Sequence, residues 1–240
     1  MPRRLFLSGT AHTDSSALVN ILNQHNHIMM GQERYFNKFR NDSIRPDHFK
    51  KERFLDIREG DTHAKGGLFC RPRGQRSAHF DKVVYVGDKF PPMFRHLDHV
   101  LTEFPKAHHI YILRNPLSVA ESYEARFQNP DDHWNLDWRA GIQAWNDSVA
   151  RIAALSEAQL QHFIFVQYEE IYAETRAINA LFTRLGLSNL EPEKLEPFVA
   201  KFAELNTKLV PRRDDIRMQV AQNADWASYK HLTTHMTPLP

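Results

Sequence analysis

Cysteine is nearly absent from this 240-residue sequence, which contains only Cys70. A single thiol cannot form a disulfide within the chain, and such scarcity favours a protein that works in a reducing compartment. We expect Cys70 to be an unreactive thiol in a loop, because a reactive cysteine requires a special electrostatic environment.

Long hydrophobic runs are also absent, and none approaches the roughly 18 residues of a membrane span. After Arg3 and Arg4 the apolar run is only Leu5–Leu7, which is too short for the hydrophobic region of a signal peptide. We therefore expect a soluble cytoplasmic protein without a membrane span.

Excess charge of one sign is lacking, since 31 basic and 29 acidic residues give a formal net charge of +2. This balance is too mild for a general nucleic-acid binder and suits a local basic pocket for a small anion. A chain of this length and ordinary composition can form one domain with its own core. We predict a single domain over residues 1–240, with a variable insert at about 40–80 and a helical or loop extension at about 190–240.

Short apolar runs rich in β-forming residues recur along the chain, each followed by a polar turn and a helical pattern. Such runs are typical of parallel strands buried on both faces. They are Leu5–Leu7, Val83–Val86, Ile110–Leu113 and Phe163–Val166, with a weaker one at Ile28–Met30. The helical patterns are Ser15–Gln24, Met93–Phe104, Leu117–Phe127, Trp138–Leu155, Ile171–Leu185 and Glu193–Leu205. The alternation predicts a three-layer α/β fold, with a mostly parallel sheet of about five strands flanked by helices and ligands at the carboxyl ends of the strands.

Two polar, basic stretches interrupt this alternation. For Arg40–Phe80 we predict a helix around Phe49–Arg58 and a loop after it, because glycine and arginine follow in Lys65-Gly66-Gly67 and Arg71–Gly74. The tail after Leu209 lacks strong periodicity. Runs of charged residues are usually exposed to solvent, so the simpler interpretation of both stretches is a solvated surface.

The first predicted strand leads through a small-residue loop into a helix that begins near Asp14–Ser16. Free backbone N–H groups and the positive end of the helix dipole make such a loop an anion site. No Gly-x-x-x-x-Gly-Lys-Ser/Thr phosphate loop occurs anywhere in the sequence. A simpler alternative is a helix capped by Thr13 or Asp14 without a ligand.

A second phosphate-binding pattern follows the strand at Ile110–Leu113. Arg114 stands where this strand ends, and Pro116 suits the first turn of the next helix. Ser122 lies two turns into that helix, so we expect both side chains to hold one phosphate, for which the arginine fork is suited. The alternative is that Arg114 pairs with a structural carboxylate.

Together these motifs resemble those of sulfotransferases that use 3′-phosphoadenosine 5′-phosphosulfate (PAPS). The resemblance spans roughly residues 4 to 187 in the family's order. The matching segments are the Gly9–Ser16 loop, Gly31-Gln32-Glu33-Arg34-Tyr35, Gly87-Asp88-Lys89-Phe90-Pro91, Arg114 with Ser122, and Gln167-Tyr168-Glu169-Glu170-Ile171. In that family the first loop binds the 5′-phosphosulfate, and the arginine and serine bind the 3′-phosphate.

The resemblance implies transfer of a sulfuryl group to a hydroxyl of a carbohydrate or small metabolite, with adenosine 3′,5′-bisphosphate as product and no metal. It assigns Glu33 as general base, Lys89 to the sulfuryl group or acceptor, and His12 to the charge near the bridging oxygen. Arg212 and Arg213 would stand near the family's late basic loop that binds the adenylate. The implied donor-binding residues are Gly9, Thr10, Ala11, His12, Thr13, Asp14, Ser15, Ser16, Arg114, Ser122, Arg212 and Arg213.

The sequence departs from the family pattern at three positions. His12 replaces the basic residue of the first loop, Asp14 replaces its glycine, and Asn115 replaces the usual aspartate after Arg114. The first two changes keep a catalytically silent nucleotide-binding or interaction protein on the same fold as an alternative. A P-loop-type small-molecule kinase is a further alternative, against which the missing phosphate-loop lysine argues. At single positions, Glu33 with Arg34 could be a surface ion pair and Lys89 a solvated lysine.

Overall fold

A computed structural model of the protein describes residues 1–10, 15–59, 61, 73–207 and 213–236. Its centre is one five-stranded sheet with the strand order β2-β3-β1-β4-β5. The strands are β1 (Arg3–Gly9), β2 (Ile28–Gln32), β3 (Tyr85–Lys89), β4 (His108–Leu113) and β5 (Phe163–Gln167). All five predicted strands are present and the predicted parallel α/β sheet is confirmed.

Helices follow each strand in the sequence. They are α1 (Ser15–Leu22), α2 (Phe36–Arg40), α3 (Lys51–Leu55), α4 (Arg73–Phe80), α5 (Leu97–Glu103), α6 (Pro116–Phe127), α7 (Trp138–Ala153), α8 (Glu157–Leu160), α9 (Tyr168–Ile171), α10 (Thr175–Arg184), α11 (Pro192–Thr207), α12 (Asp214–Asn223) and α13 (Trp226–Thr234). Short 3₁₀ helices cover Pro46–Phe49 and Pro91–His96. Among the described residues, no helix is long and apolar enough to cross a membrane.

The register of the first three strands aligns their carboxyl ends. In the parallel pairs β1–β3 and β2–β3, both Leu7 and Gln32 lie opposite Lys89. The close approach of β1 and β3 requires glycine at position 87, because a Cβ there would lie 1.5 Å from the carbonyl oxygen of Leu5. The residues that follow β2 therefore emerge beside the end of β3.

The described chain separates into two compact units. The first comprises Met1–Ser8, Ser15–Tyr111 and Ala158–Ile164. Its core is an aromatic cluster in which Phe6 makes an edge contact with Phe104 at a centroid distance of 5.0 Å. Four further rings of this cluster belong to the segment after β2. They are Tyr35, Phe39 of α2, Phe49 and Phe54 of α3. Burial of these large rings holds the polar segment after β2 in place.

The second unit comprises Gly9–Asp14, Ile112–Glu157 and Phe165–Pro240. Close packing of α6 on α7 depends on Gly141, where a Cβ would lie 2.7 Å from the Tyr123 ring. Trp145 is buried, and Trp138 is half-buried against the cluster formed by Ala120, Ile142, Ile216 and Val220.

Several predicted elements have different bounds in the structure. The helix predicted at Phe49–Arg58 is a 3₁₀ turn followed by the short α3, and the loop predicted after it is wrong over α4, which is helical. The tail also forms two helices, α12 and α13, despite its weak periodicity. Cys70 and Lys65–Gly67 lie outside the described residues. The boundaries of a single domain with an insert and an extension stay a prediction.

Candidate active site

Lys89 is the centre of a polar cluster at the carboxyl end of β3. Its side chain is only 3% exposed, and its Nζ donates to Ser16 Oγ at 3.1 Å and to Glu33 Oε1 at 2.5 Å. Ser16 lies in the first turn of α1, and Glu33 directly follows β2. The structure thus brings together three residues that the sequence analysis assigned to catalysis or donor binding. Lys89 is not a solvated lysine.

The backbone of Glu33 adopts a left-handed conformation, with φ of 54°. This conformation costs a non-glycine residue on the order of 1 kcal/mol and persists only where its surroundings hold it. One restraint is the hydrogen bond from Glu33 N to Lys89 O at 2.9 Å. The turn aims the Glu33 side chain at Lys89, and this side chain is 36% exposed.

Asp88 supplies the other restraints on this turn. Its carboxylate is fully buried and accepts from the backbone N–H groups of Arg34 at 3.0 Å, Tyr35 at 2.8 Å and Lys89 at 2.9 Å. Burial raises the pKa of Asp88 to about 7, because the loss of solvation outweighs these hydrogen bonds. Asp88 therefore connects the residues after β2 to β3, and the sequence analysis gave it no separate role.

Arg34 lies in a second buried network. Its guanidinium forms an ion pair with Asp61 and donates to Asp56 O at 2.6 Å, while Arg53 donates to both carboxylate oxygens of Asp61. Burial acts to raise the pKa of Asp61, but the hydrogen bonds from Arg53, Arg58 N and Arg34 outweigh it and lower that pKa to about 2. Since Arg34 is buried with Asp61 and Glu33 contacts Lys89, the alternative of a surface Glu33–Arg34 pair is wrong.

The opening loop is described only in part. Gly9 ends β1, Thr10 follows it, and both are buried. Ser15 is the first residue of α1 and is buried, in agreement with the predicted helix start. The remaining four candidates, Ala11, His12, Thr13 and Asp14, lie outside the described residues, so their roles stay predictions.

In the second unit, Arg114 directly follows β4 and lies against an aromatic ring. Its guanidinium carbon is 4.0 Å from the centroid of Tyr168, and its carbonyl oxygen accepts from Trp145 Nε1 at 3.0 Å. Stacking on an aromatic face restrains a guanidinium while leaving its edge N–H groups able to reach an anion. The sequence analysis did not identify Tyr168 as this platform, although a tyrosine directly after a strand could have suggested it.

Asn115, which stands where the family has an aspartate, caps the start of α6. The Asn115 side chain accepts from Leu117 N at 2.9 Å, which caps the helix, and Pro116 occupies its first turn as predicted. The Asn115 N–H in turn donates to Glu169 Oε1 at 3.2 Å. Asn115 thus performs the capping function that an aspartate would provide. Ser122 lies further along α6 and is half-buried.

Of the two arginines assigned to adenylate binding, Arg213 is described and Arg212 lies outside the described residues. Arg213 pairs with Asp215 at 2.8 Å and lies 3.7 Å from Glu124, while Arg217 pairs with Glu121 at 3.0 Å. Glu121 and Glu124 of α6 are largely buried, and the sequence motifs gave no role to either residue. Because Arg213 already has carboxylate partners, its role in adenylate binding stays a prediction.

Comparison with known proteins covers most of the chain. A sulfotransferase domain from the curacin biosynthetic pathway matches 82% of this chain and 78% of its own, with a TM-score of 0.51 and 16% identity. A sulfotransferase from Alicyclobacillus acidocaldarius matches 90% of this chain and 99% of its own, with a TM-score of 0.48 and 19% identity. At 16% identity, the likeness to the curacin-pathway domain concerns the fold alone. A search of curated proteins found no match. A family model described as "Sulfotransferase family" matches residues 3–192, and the chain therefore belongs to the sulfotransferase family.

Proposed function

We propose that the protein transfers a sulfuryl group from PAPS to a hydroxyl of a carbohydrate or small metabolite. Family membership supports sulfotransfer in general, and one observation supports the assignment to particular residues. This observation is the contact of buried Lys89 with both Ser16 and Glu33, which places a cation, a helix N-terminus and a carboxylate together.

Each unit by itself offers groups that suit an anion. In the first unit, the Nζ of Lys89 and the Ser16 hydroxyl lie at the first turn of α1, where the helix dipole also favours an anion. In the second unit, Arg114 on its tyrosine platform offers a fork that suits the 3′-phosphate, with Ser122 on the following helix. His12 and the backbone at Thr13–Ser16 complete the proposed phosphosulfate site.

The proposed reaction is an in-line transfer. When bound, PAPS supplies the sulfuryl group, whose S–O bond to the 5′-phosphate breaks as a bond to the acceptor oxygen forms. Glu33 takes the proton of the acceptor hydroxyl, for which its partial exposure makes it accessible. Lys89 neutralises the charge that develops on the transferring group and the leaving phosphate, and adenosine 3′,5′-bisphosphate is released.

A polar acceptor is supported by a cavity in the unit that carries Lys89 and Glu33. The cavity has a volume of about 520 Å³. Its lining, which includes neither Lys89 nor Glu33, contains Asn37, Lys38, Ser43, Arg53 and Arg58 together with the carboxylates of Glu59 and Asp61. Amide, hydroxyl and charged groups of both signs suit a ligand that carries several hydroxyls.

The donor is tested by thermal unfolding of the full chain with adenosine 3′,5′-bisphosphate or with magnesium ATP. At ~100 times its dissociation constant, a ligand adds ~2.7 kcal/mol to the free energy of unfolding, which corresponds to a rise in Tm of about 5–10 °C. We expect this rise with the bisphosphate. A rise with magnesium ATP alone would instead support the kinase alternative.

Turnover separates an active enzyme from a silent one. The full chain is incubated with PAPS carrying labelled sulfur and a panel of hydroxylated acceptors, and both transfer and hydrolysis of the donor are measured. We expect label to enter an acceptor. Bisphosphate binding with neither transfer nor hydrolysis across the panel would support the catalytically silent alternative.

A further inference from the structure

We propose that Glu157, His231 and His235 form a site for one divalent transition-metal ion, with zinc as the ion that suits it best. The three residues belong to the second unit and do not include any residue assigned to sulfotransfer. This inference is independent of the proposed function.

The geometry follows from helical spacing. His231 lies in the last turn of α13 and His235 caps its end, so the two residues are four apart and share one helix face. Their ring centroids are 4.9 Å apart. Glu157 begins α8, and its Oε1 lies 4.0 Å from His235 Nε2. One donor atom from each of the three side chains lies within 4.8 Å of the other two.

The donor set suits zinc. Two imidazoles and a carboxylate, with water in the fourth position, form a common three-ligand zinc site. Bonds of ~2.0–2.2 Å in a tetrahedron place the donor atoms ~3.4 Å apart, so they must close by about 1 Å from their separations here. Glu157 is 76% exposed and His231 is also exposed, so side-chain rotation can make this change. His235 is 24% exposed and lies beside the Phe165 ring, which makes it the anchored ligand.

A metal at this position would join the end of α13 to the start of α8. The beginning of α13 is already held, since Asp225 caps it and Tyr229 packs against Trp145 at a centroid distance of 5.5 Å. Its last turn contributes the two histidines. We infer a stabilising role for the metal, because binding to the folded state alone raises the free energy of unfolding.

The family resemblance implied no metal. The four-residue spacing of His231 and His235 was a usable signal in the sequence that went unnoticed. Glu157 lies far earlier in the sequence, and only the fold brings it to the pair.

The test is calorimetric titration of zinc chloride into the full chain, purified without a polyhistidine tag and stripped with a chelator. Variants are His231→Ala/His235→Ala, Glu157→Gln and a control, His133→Ala, which removes an exposed histidine outside the cluster. We expect the native chain and the control to bind one more zinc ion than the double variant. We expect Glu157→Gln to weaken this site. At ~100 times the dissociation constant, zinc should raise Tm by about 5–10 °C in the native chain and the control only.

Cobalt(II) gives a second readout, since the intensity of its visible absorption reports the coordination number. We expect the strong bands of a four-coordinate ion in the native chain and their loss in the double variant. Equal zinc stoichiometry and affinity in the native chain and the double variant would overturn the proposal. Unchanged affinity in Glu157→Gln would overturn the three-ligand site. All substituted side chains are at least partly exposed, and circular dichroism of each variant verifies its folding.

Discussion

The Nζ of Lys89 lies 2.5 Å from Oε1 of Glu33, although 56 positions separate the two residues in the sequence. The contact exists because β2 and β3 are parallel neighbours and end at the same level. In this ion pair, the charges of the Lys89 ammonium and the Glu33 carboxylate offset each other within one unit of the fold. In the proposed function, these two groups act on the donor and the acceptor at this end of the sheet.

Replacement of Glu33 by glutamine tests the proposed base. The amide is nearly isosteric and still reaches Lys89, but it cannot take a proton. We expect kcat for sulfuryl transfer to fall by ~10²–10⁴-fold, while the affinity for adenosine 3′,5′-bisphosphate is unchanged. Glu52→Gln is the control, because Glu52 is exposed in α3 and lies outside the cluster. Equal turnover in Glu33→Gln and the native chain would remove Glu33 as the base.

Replacement of Arg114 by alanine tests the proposed 3′-phosphate site. A charge-assisted contact contributes about 1.5–3 kcal/mol, so the dissociation constant of the bisphosphate should rise by about 10- to 150-fold. Lysine at this position keeps the charge but lacks the fork, and we expect an intermediate loss. Arg139→Ala is the control, since Arg139 is an exposed arginine paired with Asp137. Calorimetry measures the three affinities, and an unchanged value for Arg114→Ala would place the 3′-phosphate elsewhere.

Asp88 predicts a specific pH dependence of stability. Its pKa is about 7 in the fold and 3.8 in the reference state, so the folded chain binds the proton more tightly than the unfolded chain. The contribution of this carboxyl to the free energy of unfolding is complete below about pH 4. As the pH rises from about 4 to about 7, that contribution falls by on the order of 1 kcal/mol per pH unit. The variant Asp88→Asn lacks this pH-dependent contribution to the free energy of unfolding.

The measurement is urea unfolding of the native chain and Asp88→Asn between pH 4 and 8, with Asp131→Asn as an exposed control. We expect the stability advantage of the native chain over Asp88→Asn to shrink as the pH rises. An advantage that grows with pH would mean that the ionised form is favoured by its three N–H donors, which contradicts the raised pKa. In the sulfotransfer assay, Asp88→Asn should lower kcat more than bisphosphate affinity, because Asp88 orients the Glu33 turn.

His109 predicts the opposite pH dependence. Its ring is buried and stacks on Phe163 at a centroid distance of 4.6 Å, and neither ring nitrogen has a hydrogen-bond partner among the described residues. Burial lowers its pKa from 6.5 to about 3. As the pH falls from about 6.5 toward 3, His109 is protonated in the unfolded chain but stays neutral in the folded chain. The free energy of unfolding therefore decreases over this range.

In His109→Phe this loss should be smaller, and stability at pH 7 should rise, because two unsatisfied polar atoms leave the core. Urea unfolding at several pH values measures both effects, with His133→Gln as an exposed control. A parallel acid dependence in His109→Phe and the native chain would show that His109 does not remain neutral in the fold.

Much of the fold and part of the candidate site could be predicted from local patterns. The buried strands β1 and β4 are readable because continuous apolar runs have few alternatives, and the helix start at Ser15 follows from small polar residues. Arg114 was identified because it directly follows a predicted strand, whereas Glu33 and Lys89 were assigned from the family resemblance. Asp88 was not given its role, since a carboxylate that accepts backbone N–H groups has no characteristic residue spacing. The position of Tyr168 directly after a strand was a usable signal that went unnoticed.

By itself, the sequence determined the alternation of strands and helices, the mild charge and the motifs of the family, because these depend on neighbouring residues and their periodicity. Only the tertiary structure decided that β1 lies between β3 and β4, that Arg34 pairs with Asp61 rather than Glu33, and that Glu157 meets two late histidines. These relationships join residues far apart in the chain. Strand order, burial and side-chain packing select their partners, and none of these is encoded in local spacing.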